Sequence, residues 1–217
     1  MKGSGETFEL NRIVFEGNLV IKSLELEKIS ASYLNRKVYF ADLQNLAAEI
    51  SLLYRQRGYL ATVSIPHQIV VRGIVRLKIL EARFSGARVD PNSTGRLNED
   101  FILNRFESAL KPGELVDVYK LDRALLLLND LPGTAISGGL DSGDQAGESR
   151  FIALSERKSL FTGNASFDNY GARSTGALRF NADASINNGL GFGDQFSVNA
   201  LHTLGSDYGR FAVSFPV

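Results

Sequence analysis

Residues 53–66 read LYRQRGYLATVSIP and join a predicted helix directly to a predicted strand. Upstream of this joint, apolar side chains recur at helical spacing and give one stripe: Leu43, Leu46, Ala47, Ile50 and Tyr54. Gly58 can adopt the left-handed conformation that ends a helix. Beyond it the period changes to two, with Tyr59, Ala61, Val63 and Ile65 on one face. The stretch therefore predicts a helix that runs directly into a strand. Pro66 ends this strand, and residues 74–80 are predicted to form a second strand that pairs with it as a hairpin.

The composition excludes several classes of protein and of site. Lys and Arg together number 24, as do Asp and Glu, so the formal charge is zero and a nucleic-acid binder is not favoured. No cysteine is present, which excludes disulfide scaffolds and thiolate metal sites. No apolar run is long enough for a transmembrane helix. Residues 1–6 lack the apolar core of a signal peptide and are interpreted as an added leader or a linker.

The order of predicted elements repeats along the chain. A strand, two helices and two strands fill residues 7–81, and the same order returns over residues 82–157. In the second copy, Asn98 and Asp117 are predicted to cap the two helices, and Leu131-Pro132-Gly133 follows them. Each copy is expected to pack two helices on one face of a three-stranded sheet. The sequence thus predicts an α+β protein with two tandem βααββ domains.

Residues 158–217 change in character and form a third predicted region. Apolar and small residues alternate with polar ones over four segments, and Asn187-Asn188-Gly189 is a hairpin-turn signal between two of them. Such segments are typical of a transmembrane β-barrel, although a soluble antiparallel meander with one wet face has the same pattern. Four strands do not close a barrel, so the barrel interpretation makes this region the start of a larger one.

Few residues suggest chemistry. His67 and His202 lie far apart and neither has the spacing of a metal ligand set. The glycines of residues 189–193 lack the Lys-Ser/Thr of a phosphate-binding loop and no helix follows them. We therefore predict no catalytic residue, no metal, no cofactor and no small-molecule substrate.

Recognition of another polypeptide remains as the predicted activity. If the strand of residues 59–65 lies at a sheet edge, an extended peptide can add to it through backbone hydrogen bonds. The candidate partner-binding residues are therefore those of this strand and of the preceding helix: Tyr59, Ala61, Val63, Ile65, Leu46, Ile50 and Leu53. The alternative is that these apolar side chains fill the core, and for Leu46 and Ile50 this is the simpler interpretation.

Three groups of residues, in this order, resemble the outer-membrane transporters of two-partner secretion, which belong to the Omp85 superfamily. The first two groups resemble their paired POTRA domains, and the third resembles the opening strands of their barrel. The groups are Tyr54-x-x-x-Gly58-Tyr59 with Ile65-Pro66-His67-Gln68, then Leu128-Asn129-Asp130-Leu131-Pro132-Gly133, then Asp168-Asn169-Tyr170-Gly171 with Asn187-Asn188-Gly189.

The resemblance implies a location, a partner and an activity. It implies POTRA domains in the periplasm, barrel strands against outer-membrane lipid, and a secreted exoprotein whose N-terminal secretion domain is bound in extended form. The exoprotein then crosses the barrel without ATP. Two alternatives stay open: an Omp85-type factor that assembles outer-membrane proteins, and a soluble glycan-active enzyme with a β-rich module.

Overall fold

The computed structural model describes residues 7–216, and these form twelve strands, four α-helices and one short 3-10 helix, Ala31–Tyr33. The strands are β1 Phe8–Leu10, β2 Arg12–Glu16, β3 Arg36–Val38, β4 Ala61–Ser64, β5 Ile74–Glu81, β6 Arg83–Val89, β7 Thr134–Ser142, β8 Glu148–Arg157, β9 Phe161–Asp168, β10 Arg179–Asn187, β11 Gln195–Thr203 and β12 Ser206–Ser214. The helices are α1 Ser23–Ser30, α2 Phe40–Gln56, α3 Glu99–Ala109 and α4 Val118–Asn129. The predicted leader, residues 1–6, lies outside the described part. No described helix combines the length and the apolar character needed to cross a membrane.

The first repeat is a three-stranded sheet covered on one face by helices. Its strand order is β2–β5–β4, with β5 parallel to β2 and antiparallel to β4. Along β5 burial alternates strictly, so one face enters the core and the other meets solvent. The predicted stripe of α2 supplies much of that core, with Leu43, Leu46, Ile50 and Tyr54 almost completely buried. This confirms the helix and its hairpin partner as the sequence predicts them.

The first predicted strand of residues 7–81 is divided into two short strands, β1 and β2. The strand pairing is interrupted at Asn11, where the backbone N–H groups of Asn11 and Arg12 both donate to the carbonyl of Gly73, at 2.8 and 3.2 Å. Before the break β1 pairs with the short strand β3, and after it β2 pairs with β5. Two different neighbours therefore divide one extended segment between two sheets.

The second repeat has the same order of strands in its sheet, β6–β8–β7. In both repeats the last strand in sequence is thus the central one. The side chain of Asn98 accepts a hydrogen bond from the N–H of Phe101 at 3.1 Å, and Asp117 accepts one from Lys120 at 3.2 Å, as predicted for helix caps. Inside, the rings of Phe106 and Phe151 pack with their centroids 4.3 Å apart.

The last four strands form one antiparallel sheet in sequence order, β9–β10–β11–β12. Their register collects apolar and small side chains on one face, with Phe180 opposite Phe167 and Ile186 opposite both Phe161 and Phe196. The other face is polar and contains an ion pair between Arg179 and Asp168 at 2.7 Å. Most of the large apolar side chains are exposed, Phe161 to 69%. The predicted alternation is therefore present, and nothing in residues 7–216 covers its apolar face.

By its internal contacts the chain divides into two compact units. The first holds the described residues up to Gly86 together with Leu110–Leu121 and Asp141–Arg150, and the second holds the remainder. Parts of the predicted second domain thus group with the first repeat. The domain limits at residues 81, 82, 157 and 158 stay a prediction.

Candidate partner-binding edge

Strand β4 lies at the edge of its sheet, because β5 is its only neighbour in the order β2–β5–β4. It is shorter than the predicted strand, since Tyr59 forms only an isolated bridge with Asp117 and the regular pairing covers Ala61–Ser64. In an antiparallel ladder, alternate residues direct their N–H and C=O groups to opposite sides. The N–H of Ala82 donates to the carbonyl of Leu60 at 2.8 Å, so the even-numbered residues face β5. Ala61 and Val63 therefore direct their backbone groups to the open side.

Both ends of this edge are closed. After Ser64 the chain reaches Pro66, which has no N–H to offer, and the carboxamide of Gln68 then takes the place of a strand. Its Oε1 accepts the N–H of Arg76 at 2.8 Å, and its Nε2 donates to the carbonyl of Arg76 at 2.8 Å. At the other end the N–H of Tyr59 donates to the carbonyl of Tyr54 at 2.9 Å. The open edge is accordingly limited to about four residues, a length that follows from these contacts.

A groove of about 390 Å³ separates β4 from helix α2. Its lining combines apolar, small and polar side chains: Phe40, Gln44, Ala47, Ala48, Ser51, Val63 and Ile65. Phe40 is 54% exposed although it is a large apolar residue. An extended peptide added to β4 would lay alternate side chains into this groove.

The predicted partner-binding residues divide between the groove and the core. Val63 and Ile65 line the groove, while Tyr59, Ala61 and Leu53 are half-buried and pack against the core. Leu46 and Ile50 are both 0% exposed, which assigns them to the core, the simpler of the two roles considered for them. They therefore offer no surface to a partner.

The helix residues that do face the groove are not among the residues predicted from the sequence. Gln44, Ala48 and Ser51 lie beside the core stripe of α2 and are small or polar. No apolar periodicity marks such positions. Phe40 carried a signal that was overlooked, because a large apolar residue at the first position of the helix falls outside the core stripe.

A buried carboxylate ties this edge to the helix. Glu81, which pairs with Ala61 across the ladder, accepts hydrogen bonds at its Oε1 from the hydroxyl of Tyr54 at 2.7 Å and from the N–H groups of Leu19 and Val20 at 2.7 and 2.9 Å. Burial of the Tyr54 phenol, and then its bond to Glu81, raise the pKa of Tyr54 above its ordinary value of 10.0. The phenol therefore stays neutral and remains a donor. This network fixes β5 and the end of α2 relative to each other.

The joint between α2 and β4 is fixed from outside as well. Gly58 has φ +81°, and the ring of Tyr119 lies where a β-carbon of residue 58 would stand. The hydroxyl of Tyr119 donates to the carbonyl of Gln56 at 3.3 Å, and the N–H of Val118 donates to the carbonyl of Gly58 at 2.8 Å. The start of α4 thus packs on the turn that directs the chain into the edge strand.

Within residues 7–216 no group of three or more His, Asp or Glu side chains is arranged to hold a metal ion. His202 instead contacts a single acid, Asp207, at 2.5 Å in an exposed position.

Two family profiles match parts of this chain, and several known proteins resemble it. The family profile described as POTRA domain, ShlB-type matches residues 8–82, and the profile described as haemolysin secretion/activation protein ShlB/FhaC/HecB matches residues 147–213. The heme/hemopexin transporter protein HuxB of Haemophilus influenzae (strain 86-028NP) is 29% identical over 88% of this chain and 34% of its own length. The outer membrane transporter CdiB of Dickeya dadantii is 28% identical over 97% of this chain and 36% of its own length.

A solved structure of CdiB from Escherichia coli superposes on 99% of this chain and 40% of that one, with a TM-score of 0.78 and 22% identity. This likeness confirms the α+β fold class, with a POTRA domain over residues 8–82 and an antiparallel sheet formed by the last strands. The chain spans about a third of the length of the curated relatives it matches.

Proposed function

We propose that the chain is part of a two-partner secretion transporter of the ShlB/FhaC/HecB family and that it binds the N-terminal secretion domain of a partner exoprotein in extended form. The complete transporter then passes this client through its barrel to the cell surface without ATP. Relatives named as transporters of heme/hemopexin and of haemolysin support a secreted protein as the partner.

Membership of the family gives the location and excludes catalysis as the main activity. The protein is an outer-membrane transporter whose POTRA part lies in the periplasm. The expectation that it is not an enzyme is confirmed by the same relatives, which are transporters. The glycan-active enzyme is thereby set aside.

One observation carries the proposed binding site: strand β4 has an open edge directly beside a groove with exposed apolar side chains. Unpaired backbone groups of Ala61 and Val63 supply hydrogen bonds that any extended chain can use. The groove then selects among the side chains of the bound peptide. The two features together fit a client that arrives unfolded. Outer-membrane lipid is the second proposed partner, supported by the exposed apolar face of β9–β12.

A proline at position 63 tests the edge without breaking the sheet. The N–H of Val63 points to the open side, so Val63→Pro removes one docking donor while the ladder between β4 and β5 keeps its bonds. We expect the Kd for the client's secretion domain, measured by titration with fluorescence anisotropy, to rise about 5- to 30-fold, as for the loss of one or two hydrogen bonds and some fit.

Val63→Thr is the matched control, because it keeps the N–H and the branched shape. It should bind within about twofold of the parent. Circular dichroism verifies that both variants stay folded. Unchanged affinity in a folded Val63→Pro variant would reject this edge as the binding site.

A further inference from the structure

The face of the first-repeat sheet that points away from the helices carries a net positive charge. We call it the outer face; its exposed charged residues are Arg12 and Glu16 on β2 and Arg76 and Lys78 on β5. Three cations thus stand against one carboxylate, although the whole chain is neutral. Glu16 stands opposite Lys78 in the β2–β5 ladder, and its carboxylate lies 3.7 Å from Arg76 in an exposed pair, so two positive charges remain in excess on this face. The outer face therefore attracts negative charge.

Lys78 is the cation of the outer face that lies nearest to the open edge. It pairs with Ser64 across the ladder, and Ser64 is the last residue of β4. Within residues 7–216 Lys78 has no salt-bridge partner within 4.0 Å. Ser64 is small and directs its hydroxyl back to the carbonyl of Lys78 at 3.4 Å. Nothing bulky on β4 thus separates the Lys78 side chain from a strand added beyond it.

The geometry of a sheet then fixes what an added strand presents to Lys78. Such a strand lies about 4.8 Å from β4 and about 10 Å from β5, and its side chains alternate between the groove and the outer face. Long side chains on one face of a sheet interact over about 7–8 Å. Because Ser64 is short, we infer that the Lys78 side chain and a glutamate side chain on the added strand meet above it. The residue beside Ser64 therefore faces the Lys78 ammonium, while its two neighbours in the strand face the groove with Val63 and Ile65.

We propose that Lys78 is a specificity-determining residue of this edge, an inference that rests on the proposed function. It selects client strands that alternate apolar residues, which enter the groove, with acidic residues, which lie on the outer face. The backbone bonds of the edge are the same for any sequence, so the charge on the outer face and the apolar groove supply the discrimination. The preferred client segment is thus an amphipathic, negatively charged strand.

Three synthetic peptides of nine residues test this selection. Each alternates valine with a second residue, which is glutamate, glutamine or lysine, and each is titrated with the full chain in neutral detergent by fluorescence anisotropy. We expect the valine–glutamate peptide to bind about 2- to 5-fold tighter than the valine–glutamine peptide, as for one exposed ion pair, and the valine–lysine peptide to bind weakest. About 0.5 M salt should remove most of the difference.

Lys78→Glu should reverse the order, so that the valine–lysine peptide becomes the tightest. Lys120→Glu, which makes the same change of charge at an exposed position of α4, should leave the original order intact. Lys78 is exposed, so both variants are expected to fold, and circular dichroism checks this.

The outcomes separate this inference from the proposed binding edge. Equal affinity for all three peptides, or an order that Lys78→Glu leaves unchanged, overturns the role of Lys78. If Val63→Pro still weakens all three peptides in that case, the edge itself stands. If Val63→Pro weakens none of them, the binding edge is rejected together with the role of Lys78.

Discussion

Gly58 meets two requirements that no other residue type meets together. Its φ of +81° is strained for any side chain with a β-carbon, and the ring of Tyr119 fills the space where that carbon would stand. We expect Gly58→Ala to lower the free energy of unfolding by about 2–4 kcal/mol, from strain and overpacking together. Urea unfolding followed by circular dichroism measures the loss.

Gly113→Ala is the matched control, because Gly113 also has a positive φ, +90°, but has no neighbour within 4 Å of a built β-carbon. It should cost only the strain, about 1–2 kcal/mol. Adding Tyr119→Ala to Gly58→Ala should recover part of the difference, as a double-mutant cycle would report. Equal losses at the two glycines would contradict the packing argument.

The turn between β10 and β11 is an element held together by one buried carboxylate. Asp194 is 0% exposed and accepts the N–H groups of Gly189, Leu190 and Phe192 at 3.0 to 3.4 Å. We expect Asp194→Ala to destabilise the turn by about 1.5–3 kcal/mol, because three backbone donors lose a charged acceptor. Hydrogen exchange of these amides, followed by NMR in micelles, should accelerate about tenfold or more.

Asp207→Ala serves as the control for that turn, since Asp207 is exposed and contacts only His202 in the neighbouring hairpin turn. It should leave the three amides protected. Protection that persists in Asp194→Ala would mean that the glycine-rich backbone holds the turn by itself.

Long elements with a regular apolar periodicity were predictable from the sequence. Short strands, and features that depend on tertiary contacts, were not. The helical spacing of apolar residues from Leu43 to Tyr54 predicts helix α2, and the alternation of apolar and polar residues from Ile74 predicts strand β5. Strands β1 and β3 have three residues each, too few to establish a period.

The candidate edge was predictable as a strand, but its limits were not. Gln68 closes it through side-chain bonds to Arg76, a contact between loop and strand that no local pattern encodes. On α2, periodicity identified the apolar stripe and favoured the core for Leu46 and Ile50, but it did not identify Gln44, Ala48 and Ser51 as the residues that face the groove. A pattern of apolar residues indicates which positions are buried in the core. The walls of a groove are formed by the positions next to these, which are small or polar and follow no apolar pattern.

For the whole molecule, one alternative function remains: an Omp85-type assembly factor, which has the same fold but binds different client proteins. A two-partner secretion transporter serves one exoprotein, whereas an Omp85-type assembly factor serves many barrel proteins. We expect deletion of the gene to retain a single large exoprotein in the periplasm, with the amounts of outer-membrane porins unchanged, as quantitative proteomics of both fractions would measure. A general loss of barrel proteins would instead favour the assembly factor.

The short open edge of β4, beyond which Gln68 takes over the pairing with β5, has a kinetic consequence for the proposed transport. Four residues of open ladder offer few hydrogen bonds, and differences in affinity between related complexes arise mostly in the dissociation rate. A client held only by this edge therefore has a short residence time. In the proposed transport, brief contacts of this kind would let an unfolded chain bind, dissociate and bind again further along, so that a high dissociation rate would favour its movement.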